Sequence, residues 1–292
     1  LGVELGSHTI AHSAVFSKFP MGTGQEAYPA YVPFVKDMTT AYNGSILGEL
    51  RISKYLLEHF SGQTVRSFRP GHLSNPFGLP QALLATGYRY SSSATANNSL
   101  THLPYQLNYD RSTGSEVEIF EFPVTIEDEE LPKMGDRLPQ ALEVARQISR
   151  YGGLCVVLIH PNILDHKLAF EKGFVEGVRP YAWFGSITQF GQWWAARNQV
   201  QLDVEREAAL FRVTITAPQP LSGLTINVPD GWRLQQPASR LKGIEQRGTS
   251  VLFTELRGTE TLHFETRSSP TVAQESLVID RRLKSGGRDV RS

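Results

Sequence analysis

The chain has 292 residues, with 29 Lys plus Arg against 29 Asp plus Glu, eight His and a single Cys. Balanced charge gives no overall basic field to hold a phosphate backbone, which speaks against nucleic acid as a partner. One cysteine forms neither an internal disulfide nor a thiolate metal cluster, and no apolar run approaches the roughly 18 residues of a membrane span.

The chain opens on Leu1-Gly-Val-Glu-Leu5, as though a strand were entered halfway, and reads as a fragment or a processed chain. Next come Gly6-Ser-His8-Thr-Ile-Ala-His12, two imidazoles four residues apart. After a short β-like stretch they can converge as a first helical turn begins and bind one metal such as Zn²⁺. A surface pair or a satisfied core pair has the same spacing. Residues 13 to 43, with aromatic residues among Gly and Pro, read as a long loop near this pair. Apolar residues from Ile46 to Phe60 fall at spacings of three and four, which predicts an amphipathic helix.

Val65 to Arg69 is short and β-leaning, and Pro70-Gly71 stops it. Pro80 and Gly87 bracket a short helix, and Tyr88 to Ser92 reads as the next strand. Val117-Glu-Ile-Phe-Glu-Phe122 alternates as a half-buried strand does. A helix runs from about Pro139 to Gly152-Gly153 and leads into Leu154-Cys-Val-Val-Leu-Ile159, suited to a parallel strand. His160-Pro161-Asn162 follows at once, at the strand end where parallel α/β folds place their sites. Asn162 is a candidate for substrate contact and equally for an Asx turn. Ser186-x-x-Gln189 is a capping box for a last helix carrying Trp193 and Trp194, read as core. Tyr105, Trp183 and Phe184 are candidates for a sugar-stacking wall. The alternating rhythm predicts α/β with a mainly parallel sheet or barrel.

Beyond residue 198 the texture changes to short alternating segments, 211–216, 224–228, 250–254 and 261–265, separated by turns such as Ala217-Pro-Gln-Pro220. That predicts a small antiparallel, sandwich-like β domain over 199–267. Residues 268–292, without aromatics and mildly basic, read as a disordered tail.

Four blocks in order, His8-Thr-Ile-Ala-His12, Arg69-Pro70, Gly87-Tyr-Arg-Tyr-Ser-Ser-Ser93 with Pro104-Tyr105, and Leu158-Ile-His160-Pro161, together resemble the polysaccharide deacetylases. These form the NodB-homology group of carbohydrate esterase family 4. The resemblance covers residues 1–198 and implies a distorted (β/α) barrel and a metal-dependent hydrolase that removes N-acetyl groups from a polysaccharide or amino sugar. It implies a divalent metal, zinc above all, with His8 and His12 as ligands, His160 as general acid and Arg69 steadying the general base. Pro70, Gly71, Tyr105, Pro161 and Asn162 are the expected substrate contacts.

Two departures stand out. The family's Asp-Asp block, which supplies the base and a third ligand, is missing from the 292 residues and is expected N-terminal to Leu1. Ser91 stands where a related branch commonly has Asp, leaving the tuning of His160 to another group. The alternatives are hydrolysis of a different non-peptide C–N bond, and a degenerate glycan-binding module.

Overall fold

The computed structural model describes residues 2–108, 116–162, 164–207, 210–235 and 243–266. The chain divides into two compact units, Leu1–Ala195 and Ala196–Ser292.

In the first unit, the loop expected over 13–43 holds a single 3₁₀ turn, Phe16–Lys18, and a hairpin of β1 (Phe34–Asp37) and β2 (Thr40–Tyr42). Helix α1 (Ile46–Ser61) begins where Ser45 Oγ accepts the Gly48 N–H, and ends at Gly62, whose φ of 70° closes the helix in the left-handed region. Its buried face carries Ile46, Leu50 and Ile52, but also Glu49 and Ser53. Then follow β3 (Ser67–Phe68), α2 (Leu79–Ala85), β4 (Tyr90–Ser91), α3 (Ala96–Ser99), β5 (Tyr105–Asn108), β6 (Glu116–Glu121) and β7 (Val124–Glu127). Helix α4 (Leu138–Ser149), β8 (Val156–Leu158), α5 (Asp165–Val178) and α6 (Ile187–Asn198) complete the series. The capping box of α6 forms in both directions: Ser186 N–H donates to Gln189 Oε1 at 3.0 Å and Gln189 N–H to Ser186 Oγ at 3.3 Å.

Strands order as β3-β4-β6-β5, with β3, β4 and β6 parallel and β5 antiparallel to β6. Ser7 adds a parallel bridge to Phe68 on the β3 side. The parallel pair β7-β8 forms a separate sheet, with one isolated parallel bridge from Val124 to Thr95 just after β4. The architecture is therefore mixed α/β. A closed barrel is not found among the described residues, because ladders of two and three residues pair locally and leave the ring open.

Apolar side chains pack in two clusters. One gathers Phe16, Leu50, Val65, Phe68, Leu83 and Ile119; the other gathers Ile126, Met134, Phe170, Phe174 and Val178. Each fully buried side chain of this size contributes about 1.5–3 kcal/mol. Helix α5 was not foreseen from the sequence. Two glycines bring it against α4, since a Cβ on Gly173 or Gly177 would lie 2.6 Å from Leu138 or 2.5 Å from Leu142.

In the second unit, β9 (Gln201–Glu207), β10 (Leu210–Asn227), β11 (Trp232–Leu234), β12 (Ile244–Arg247) and β13 (Ser250–Thr266) are hydrogen-bonded in one antiparallel sheet, where a sandwich-like domain was expected. Ala217-Pro-Gln-Pro220, expected as a turn, is instead an irregularity inside one long strand, with the register to β13 shifting between Ala217 and Leu221. The tail expected over 268–292 lies outside the described residues.

Candidate active site

Five segments deliver polar side chains just past the C-terminal ends of parallel strands. His8 follows the Ser7 bridge, Arg69 follows β3, Ser92 follows β4, Asp128 follows β7 and His160 lies two residues past β8. Parallel sheets place their ligand sites at this edge. A cleft of about 460 Å³ opens there, lined by His8, Arg69, Ser92, His160 and Pro161 among others.

His8 and His12 do converge, with ring centroids 4.9 Å apart, and His72 sits edge-on to His12 at 4.7 Å. The expected helical turn does not bring them together. Residues 8 to 12 form an irregular loop with φ of 68° at Thr9 and 49° at His12, and His72 and Leu73 opposite have φ of 54° and 47°. Left-handed backbone at four non-glycine residues needs support from its surroundings. Glu49 provides part of it. This carboxylate, 1% exposed on α1, accepts the Ile10 N–H at 2.6 Å and the Ala11 N–H at 2.8 Å, and Tyr31 Oη donates to it at 2.8 Å. Burial and the neighbouring Glu49 raise the Tyr31 phenol well above its usual range. Thr9 Oγ1 accepts the His12 N–H at 3.1 Å, and Gly71 leaves room for the ring, since a Cβ there would lie 2.9 Å from His12 Cδ2.

The His8 ring donates from Nδ1 to the Arg69 carbonyl at 2.7 Å, which leaves Nε2 as its free lone pair. Desolvation lowers its pKa, as do the charges of His12, Arg69 and His160, against the opposing hydrogen bond to Arg69. The ring is thereby kept neutral, as a metal ligand must be. Two imidazoles sharing one tetrahedral zinc at about 2.0–2.1 Å have ring centres about 5 Å apart, which matches this pair. Zinc sites take three or four protein ligands. Among the described residues no three His, Cys, Asp or Glu side chains converge to hold a metal, so His8 and His12 by themselves are two donors short of a tetrahedral set.

Arg69 donates from Nε to the Ser92 carbonyl at 3.1 Å and from Nη2 to Ser92 Oγ at 2.8 Å. No carboxylate among the described residues lies within ion-pair distance of it. Burial lowers its pKa and the charge of Glu121 partly restores it, but a guanidinium stays protonated throughout.

Across the cleft, His160 is paired with a residue that the sequence did not single out. Asp128, whose side chain is fully buried, accepts the His160 backbone N–H at 2.8 Å on Oδ2 and the His160 Nδ1–H at 2.8 Å on Oδ1. Lys167 also bonds to Oδ2. Burial pushes the Asp128 carboxyl up, yet these hydrogen bonds from Lys167 and His160 hold it down at about 2. His160 thus has its Nδ1 committed and its Nε2 available. Ser91 is fully buried, with Oγ 2.7 Å from Ser93 Oγ, and it is Asp128 that meets the histidine. Asp165 bonds the neighbouring His166 N–H.

The remaining expected contacts are spread out. Pro161 lines the cleft, Asn162 accepts from Lys167 at 2.7 Å, and Pro70 and Gly71 are buried beneath the loop. Tyr105 lines a different cavity of about 460 Å³, with Asn98, Gln106 and Glu121, and its hydroxyl is 3.0 Å from Ser99 Oγ. Trp183 is 63% exposed and Phe184 48%, while Trp194 is buried.

No family model matches the chain, and no curated protein matches it. A solved structure described as a "putative polysaccharide deacetylase" from Mycobacterium smegmatis is similar, with a TM-score of 0.44 and 16% identity. The similarity covers 55% of this chain and 60% of that one.

Proposed function

We propose that the chain is a deacetylase-like hydrolase of the polysaccharide deacetylase type, removing N-acetyl groups from a polysaccharide or amino sugar. The observation that carries this reading is that one cleft is lined by both His8, whose ring packs on His12, and His160, whose ring is bonded to Asp128. His8 and His12 would hold a divalent metal, zinc by its preference for imidazole, which when bound lowers the pKa of water and polarises a carbonyl oxygen.

The protein's own groups account for the rest. Asp128 fixes the His160 ring with Nδ1 as donor and stabilises the imidazolium, so that Nε2 can carry a proton and give it to the leaving amine. Without that proton the amine would leave as a poor anion. Arg69, anchored on Ser92, offers its Nη1 at the cleft wall, where no described residue bonds it, for a carboxylate or a developing oxyanion. The exposed Trp183 and Phe184 suit the C–H faces of a sugar.

The two-donor metal set favours a second reading, a glycan-binding module without turnover. Acetate release from chitin oligomers and peptidoglycan by wild type and His160→Ala separates the two. Release that depends on His160 supports the hydrolase; glycan binding with no release supports the module.

A further inference from the structure

The turn that carries His160 is tied down by a single buried cation. Lys167, the third residue of α5, has a side chain only 8% exposed, and the carboxylate it meets is fully buried. An ammonium has three N–H bonds to donate. Lys167 has three acceptors: Asp128 Oδ2, the His160 carbonyl at 3.0 Å and Asn162 Oδ1 at 2.7 Å. Two of these are the first and last residues of the His160-Pro161-Asn162 turn. The third is the carboxylate that orients the His160 ring.

A buried ion pair is weak evidence for stability, because an apolar side chain of similar volume fills such a site without desolvating a charge. The better-supported use of such a pair is to specify one arrangement. Here Asp128 has three hydrogen bonds to distribute over two oxygens, and the ammonium occupies Oδ2 beside the His160 N–H, leaving Oδ1 to the ring. Other charged groups near the ring do not compete for this place. Glu129 Oε1 is 3.9 Å from Nδ1 on an exposed side chain; His8 and Arg69 line the same cleft as His160; Asp165 and His166 pair with each other.

We propose that Lys167 is the positioning residue for His160: by clamping Asp128 and both ends of the turn, it holds the ring in the Nδ1–H tautomer with Nε2 free. The significance of that tautomer rests on the reading of His160 as proton donor, but the geometric claim does not.

The test is therefore made on the protein without substrate, by ¹⁵N NMR of the histidine rings and the lysine ammonium groups. In wild type, His160 should show a protonated Nδ1 and a bare Nε2 while the ring is neutral, and the Lys167 ammonium should exchange slowly with water. In Lys167→Met the Nδ1–H fraction should fall measurably, since Asp128, no longer clamped at Oδ2, can turn Oδ1 away from the ring. Lys167→Arg, which keeps charge and donors, should restore it.

An unchanged tautomer in Lys167→Met overturns the proposal, as does an equal loss in Lys167→Arg. Should Lys167→Met not fold, the wild-type ammonium decides: exchange as fast as that of surface lysines overturns the proposal, and slow exchange supports it. Acetate release is not read, so failure here is distinct from failure of the hydrolase reading.

Discussion

Asp128→Asn changes one oxygen to nitrogen in the buried carboxylate that bonds both His160 and Lys167, and its consequences can be worked out from the structure. The folded carboxyl titrates at about 2 against a free value of 3.8. At about 1.36 kcal/mol per pH unit, this depression is worth on the order of 2 kcal/mol of stability. Because the folded pKa is the lower one, that contribution is complete above about pH 4 and is lost as pH falls through 2. The substitution also strands the buried Lys167 ammonium and aims an amide N–H at another donor. Breaking a buried pair from one side costs about 3–5 kcal/mol. Urea unfolding, read by hydrogen exchange on amides of the first unit, should therefore show Asp128→Asn less stable by about 3–5 kcal/mol at pH 7. The gap should shrink by about 1 kcal/mol between pH 4 and pH 2.5, and by the remainder only below pH 2, as wild type loses its charge. A gap that is the same at pH 7 and pH 2.5 would refute the reasoning, because the carboxylate charge would then contribute nothing.

Glu49→Gln should loosen the His8–His12 loop, because an amide cannot accept the Ile10 and Ala11 N–H groups as strongly as a carboxylate does. Zinc affinity measured by calorimetry should fall about 10–100-fold, the usual effect of removing a group that orients ligands; unchanged affinity would show that the loop holds itself. Gly71→Ala places a methyl 2.9 Å from His12 Cδ2, and overpacking of this kind costs about 1–3 kcal/mol in thermal unfolding.

Much of the first unit was legible because its helices are bracketed by Pro and Gly and its strands end on polar residues. Pro80 and Gly87 enclose α2 to within a residue, and the alternation of 117–122 matches β6. His160 could be singled out because a titratable side chain follows a wholly apolar strand. Its partner could not. Asp128 lies in the run Glu127-Asp-Glu-Glu130, which reads as a solvated face, and only the parallel pairing of β7 with β8 buries it beside His160. Helix α5 was hidden by Gly173 and Gly177, poor helix formers that are there to admit Leu138 and Leu142 of α4. Glu49 carried a signal in principle: it falls on the apolar stripe of α1, among Ile46, Leu50 and Ser53. The strand β10 was broken in the sequence reading by Pro218 and Pro220, whose missing N–H groups the irregularity between Ala217 and Leu221 accommodates.

The central claim is that His160, oriented by Asp128, protonates a leaving amine. Its most direct measurement compares His160→Gln with wild type on two acetyl substrates, an N-acetyl chitin oligomer and an aryl acetate ester whose phenolate leaves without help. The account predicts a loss of about 10²–10⁴ on the amide and a much smaller one on the ester. An equal loss on both would contradict it.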